Sequence, residues 1–230
     1  MRKAAITLKR TKLRDRQLPN YTKAEEIGNT VTHISGGGLG ILMALLCLHR
    51  AIPKATLWAI LPAALYGVSL ITVYCISSIY HGLRPGTGKK VLQVLDHCMI
   101  YLLIAGTYTP ILVWGFIPVY PVLGWSLLAI EWILAALAIT LTAIDLKKYR
   151  VFSMLCYIGL GWAIGPFLKQ VYSILSPGGF WLLLAGGIAY TVGAVLFVLG
   201  KKIPWMHFVF HIFVILGSAL QFLSIYLYLL

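Results

Sequence analysis

The chain has 230 residues, of which 60% are hydrophobic and only 11% charged. A soluble globular chain carries about 25% charged residues, and one of this length could not bury so much apolar surface; disorder, a collagen-like repeat and a secreted disulfide scaffold are excluded as well. Nineteen Lys and Arg against six Asp and Glu give a net charge of +13. The basic residues sit in the N-terminal tail and in short stretches between apolar runs, a pattern of membrane orientation signals and of attraction to anionic lipid headgroups rather than of a nucleic-acid surface.

Residues 1–24 form a basic tail. No short apolar region with a small-residue cleavage site follows it, so no removable signal peptide is expected. Seven apolar segments of spanning length then run over 28–48, 57–80, 93–115, 122–143, 151–172, 180–199 and 205–229, each near the roughly 20 residues that cross a bilayer as helix. The runs are continuous rather than alternating, which excludes a membrane β-barrel. The expected architecture is therefore all-α: a polytopic seven-transmembrane helix bundle over 25–230, with no extramembrane domain beyond the tail. With the N-terminus cytosolic, sixteen Lys and Arg fall on the cytosolic side and three (Arg50, Lys54, Lys169) on the other. That asymmetry sets the N-terminus inside and the C-terminus outside.

Within the spans, Pro62, Pro110 and Pro166 should kink their helices. Gly36, Gly37, Gly38 and Gly40 in the first span, and Gly186 and Gly187 in the sixth, suit close helix packing. Cys47, Cys75, Cys98 and Cys156 have no C-x-x-C spacing and read as small core residues.

An ionisable residue at membrane depth is costly unless paired or ligated, so each is a functional candidate. His207 and His211 are spaced i, i+4 and share one helix face, a spacing that suits two ligands on one divalent metal; two unrelated histidines bonding nearby carbonyls are the alternative. His81 ends the second span, with Ser77 one turn before it on the same face. Asp96 opens the third span, His97 pointing about 100° away from it. The topology places His81, Asp96, His207 and His211 at similar depth, near the cytosolic end. Three neutral imidazoles with one open position form the pattern of a catalytic zinc, and Asp96 would orient or deprotonate the water there. Glu26, Asn29 and His33 make a polar stripe that either supports these ligands or caps and anchors the first helix. Glu131, in mid-span, is expected to be protonated or hydrogen-bonded to a neighbour.

Glu25-Glu26-x-x-Asn29-x-x-Thr32-His33, Ser77-x-x-x-His81, Asp96-His97-x-x-Ile100-Tyr101 with Ala105-Gly106-Thr107-Tyr108-Thr109-Pro110, and His207-x-x-x-His211 together resemble the bacterial haemolysin-III branch of the progestin and adipoQ receptor family. The resemblance covers about residues 24–225. It implies seven helices with a cytosolic N-terminus, and Zn2+ held by His81, His207 and His211 with Asp96 and Ser77 beside it. It also implies a bacterial plasma (inner) membrane location. The wider superfamily includes alkaline ceramidases with a similar residue set.

Three functions are then open. The first is a zinc-dependent intramembrane hydrolase of a lipid amide or ester, with Asp96 as general base and Ser77 stabilising the developing oxyanion. The second is a sensor or receptor-like regulator of membrane state with structural zinc. The third, a pore-forming haemolysin, suits a chain of insoluble spans and tiny loops poorly. Membrane lipid is the expected substrate or ligand, with no nucleic-acid partner; the oligomeric state is left open.

Overall fold

The computed structural model describes residues 10–230; Arg2, Lys3 and Lys9 of the basic tail lie outside the described residues. Regular structure among the described residues is entirely helical. Helix α1 (Lys23–Ala51) begins at a reciprocal cap in which Thr22 Oγ1 accepts from the Glu25 N–H and the Glu25 carboxylate accepts from the Thr22 N–H. This cap starts the helix ahead of its apolar run. Helix α2 (Leu57–Gly82) is capped by Thr56. Helix α3 (Thr87–Pro110) continues into a π-helical turn over Ile111–Phe116, so the disturbance expected at Pro110 takes the form of a widened turn directly after it. Helices α4 (Pro121–Ile144), α5 (Arg150–Gly161), α6 (Leu168–Leu199) and α7 (Met206–Tyr228) complete the chain.

Six stretches among the described residues are long and apolar enough to cross a membrane. The fifth and sixth spans read from the sequence fall in one of them, Arg150–Leu199. That stretch is interrupted by a 3-10 turn at Gly165–Phe167, around Pro166, and by Ser176 before Pro177, with φ of 57°. Trp162 Nε1 donates to Thr191 Oγ1 at 3.0 Å, and the rings of Tyr172 and Phe180 lie 5.3 Å apart. Pairs therefore close in on Ser176 from both sides, and the two arms run antiparallel about it.

The glycine reading holds at Gly36, where a Cβ would sit 2.7 Å from the Tyr74 ring, and α1 approaches α2 closely. It fails at Gly38, where a Cβ would meet no other side chain or neighbouring helix within 4 Å among the described residues. Cys47 and Cys98 are buried, whereas Cys75 faces outward. In the interior, the Tyr74 hydroxyl donates to Ser218 Oγ at 2.7 Å and the Tyr190 hydroxyl meets the same oxygen at 2.6 Å, tying α2, α6 and α7 together. The basic connections gather at one end. There Arg10 Nε donates to the Ile144 carbonyl, Lys90 Nζ to the Arg14 carbonyl and the Trp205 N–H to Glu25. The C-terminus lies at the opposite end, where Lys54 Nζ donates to the Leu230 carbonyl.

Candidate metal centre

The tail end of the bundle brings the last turn of α2 against the first turns of α1 and α7. Lys89, near the start of α3, donates Nζ to the carbonyls of His81 and Leu83 at 3.1 and 3.0 Å. It thereby satisfies acceptors that the end of α2 leaves free. At the start of α7, Trp205 adopts a left-handed φ of 66° and its N–H is held by Glu25 Oε1 at 2.7 Å. His207 and His211 follow on one face.

His81, His207 and His211 are all buried, and one nitrogen from each lies within 4.8 Å of the others. His207 Nε2 is 3.3 Å from His81 Nε2 and 3.2 Å from His211 Nε2. Their outer nitrogens decide what these atoms are. His81 Nδ1 sits 2.7 Å from Glu26 Oε2, and His211 Nδ1 sits 3.3 Å from the Asn29 carbonyl. A carboxylate and a carbonyl only accept, so both Nδ1 atoms donate and both Nε2 atoms present lone pairs. Both lone pairs face His207 Nε2, so a shared cation, or a proton on that nitrogen, would lie between them. Zinc–nitrogen bonds of about 2.05 Å at the tetrahedral angle place ligand nitrogens about 3.3 Å apart, which the two separations from His207 Nε2 match. His207 Nδ1 is buried without a partner among the described residues.

Two further aromatic groups close the site. Tyr21, from the tail, stacks on His207 with centroids 4.9 Å apart, and His33 stacks on His211 at 3.6 Å. Neither His33 nitrogen has a hydrogen-bond partner among the described residues. Of the polar stripe on α1, Glu26 and Asn29 thus support the ligands directly.

Ser77 and Asp96 line one cavity together with His211, His33 and His97. Asp96 Oδ2 lies 3.7 Å from His97 Nδ1. The sequence turns His97 away from the site; the structure brings it onto the cavity wall, because that wall is broad enough to include both residues. From Asp96 the cavity follows α3 to Ile111, about 22 Å at helical rise, and its far walls are apolar side chains such as Leu103, Val171, Phe180 and Leu183. The sequence reading did not single out Lys89 or Tyr21. Lys89 had been counted only as an orientation charge, and Tyr21 precedes the first span in a polar segment.

Residues 21–222 match the family described as Haemolysin-III related. Hemolysin-3 of Bacillus cereus is 41% identical over 206 residues, covering 90% of this chain and 92% of that protein. The Hemolysin-3 homolog of Bacillus subtilis (strain 168) is 37% identical over 212 residues, covering 90% and 96%. The human monocyte to macrophage differentiation factor is 28% identical over 180 residues, covering 75% and 72%. These similarities and the membrane-length helices support a multi-pass protein of the bacterial inner membrane. The chain belongs to the haemolysin-III family, and its three buried histidines are a candidate metal centre within that fold.

Proposed function

We propose that the chain is a zinc-dependent intramembrane hydrolase acting on a lipid amide or ester. The observation that carries this reading is the convergence of three buried imidazoles beside a long apolar cavity whose wall also holds Ser77 and Asp96. Zinc held there would supply Lewis acidity and make water a better nucleophile near neutral pH. The cavity's length of about 22 Å exceeds the roughly 15 Å of hydrocarbon in one leaflet, so it accepts an acyl chain with the carbonyl near His211. Ser77 would donate a hydrogen bond to the carbonyl oxygen as it gains charge. Asp96 would take a proton from the attacking water and pass it to the leaving group.

A regulator with structural zinc is the second reading. It is favoured by the position of Asp96, whose carboxylate faces His97 rather than any of the three clustered histidines. The two are separated by incubating purified, zinc-loaded protein with a panel of N-acyl and O-acyl lipids and measuring fatty-acid release. The hydrolase reading expects release by wild type and a loss of at least a hundred-fold in Asp96→Asn. Wild type with one zinc per chain and no release from any lipid would sink it.

A further inference from the structure

The tail leaves a cleft at the basic end of the bundle. It has a volume of about 600 Å³ and is lined by Arg10, Lys12 and Arg16 over an apolar floor that includes Leu13, Val94 and Ala143. The cleft lies between the tail, the first turns of α3 and the last turn of α4, away from the histidine cluster. Arg16 is only 9% exposed, and its Nε and Nη1 are buried with no hydrogen-bond partner among the described residues. A buried guanidinium without an acceptor is costly and strongly selects an anion.

Among the described residues, no acidic side chain lines the cleft. Asp15 pairs instead with Arg14 at 3.7 Å, and Asp145 is engaged by the backbone N–H groups of Thr11, Lys147 and Lys148. The Arg10 Nε is used on the Ile144 carbonyl, which fixes that side chain at the rim. At its outer edge the floor continues into Val91 and Leu95, which are 40% and 38% exposed on the outer face of α3.

We infer that this cleft binds a phosphate oxyanion. The planar fork of Arg16 matches two phosphate oxygens, which the ammonium of a lysine cannot do. Arg10 and Lys12 supply the flanking charge. The apolar floor and its open edge suit a phosphate that carries acyl chains, although a free phosphate presents the same oxygens. The site does not depend on the hydrolase reading.

Full-length protein in detergent is titrated with phosphatidylglycerol, with diacylglycerol, which lacks the phosphate, and with inorganic phosphate, and binding is followed by native mass spectrometry and thermal shift. Wild type should prefer phosphatidylglycerol to diacylglycerol by at least ten-fold. Arg16→Gln should lose that preference, Arg16→Lys should retain part of it, and Lys202→Gln should leave it unchanged. Saturable binding of inorganic phosphate that is lost in Arg16→Gln, without binding of phosphatidylglycerol, identifies the source as a soluble phosphate. Should Arg16→Gln fail to fold, Arg10→Gln with Lys12→Gln tests the same cleft from exposed positions, with an expected three- to ten-fold weakening. Failure of wild type to bind either phosphate compound overturns the inference. So does unchanged binding in folded Arg16→Gln or, where that variant cannot be obtained folded, in the double variant.

Discussion

Glu26 joins two other charged or ligating groups: one carboxylate oxygen lies 2.7 Å from His81 Nδ1 and the other 2.6 Å from Lys89 Nζ. The first contact fixes the His81 tautomer with its lone pair on Nε2, and the second holds the carboxylate in place. Such outer partners commonly contribute about 10–100-fold to metal affinity. Glu26→Gln should therefore weaken zinc binding by about ten-fold in a chelator competition while leaving the helical circular dichroism unchanged. The cobalt-substituted variant should also show a shifted visible absorption spectrum. Wild-type affinity with an unaltered spectrum would mean that the carboxylate does not tune the ligand.

The crowding of three imidazole nitrogens at 3.2 and 3.3 Å predicts a second result. A metal that binds only the folded chain stabilises it by mass action, by about 2.7 kcal/mol at a hundred-fold excess over Kd. Chelation should lower the unfolding temperature of wild type by several degrees. Chelator should hardly move His207→Ala plus His211→Ala, and its metal content should fall from about one per chain to below a tenth. Equal sensitivity of wild type and double variant would place the metal elsewhere.

The tail has its own pH dependence. Asp145 accepts from the Thr11 N–H at 2.7 Å and from the Lys147 and Lys148 N–H groups at 3.1 Å. Burial alone would push its carboxyl up, but these donors outweigh burial and hold it below its ordinary value. A carboxyl lowered by folding adds stability above its unfolded value of about 3.9 and loses it as pH falls through the folded value. Tail docking should thus be constant from pH 7 to about 5 and weaken below about 4. Pepsin cleavage near Thr11 should accelerate over that lower window in wild type. In Asp145→Asn the tail should open about ten-fold more readily throughout. A cleavage rate that tracks only pepsin's own pH profile in both proteins would refute the anchor.

Much of this was legible from spacing. The i, i+4 relation of His207 to His211 needs only helical geometry, and the placement of His81 and Asp96 at the same end needs only a count of spans and basic loops. The packing partners could not be read in that way. Lys89 looks like one more loop charge until α3 folds its first turn against the end of α2. Tyr21 becomes relevant only because the tail crosses the face of His207. Glu131 reads from the sequence as hydrogen-bonded or protonated, and both its oxygens are buried without a hydrogen-bond partner among the described residues. The reversal at Ser176 was also hidden. A hydropathy pattern marks two apolar segments on either side of Ser176, but it does not show that they join with a single non-helical residue between them.

That join makes the number of crossings a measurable question. Tyr172 faces Phe180 and Trp162 faces Thr191, so the chain approaching Ser176 and the chain leaving it lie side by side. If each arm crosses the bilayer, Ser176 lies on the side opposite the basic loops and the membrane is spanned seven times. In a background with Cys47, Cys75, Cys98 and Cys156 replaced by Ala, single cysteines at Ala55 and Ser176 should then react with an impermeant maleimide in intact cells. Cysteines at Lys148 and Lys202 should react only after lysis. If Ser176→Cys labels only together with Lys148→Cys, the 50-residue stretch does not cross twice, and the seven-crossing topology read from the charge count would have to be rebuilt from fewer crossings.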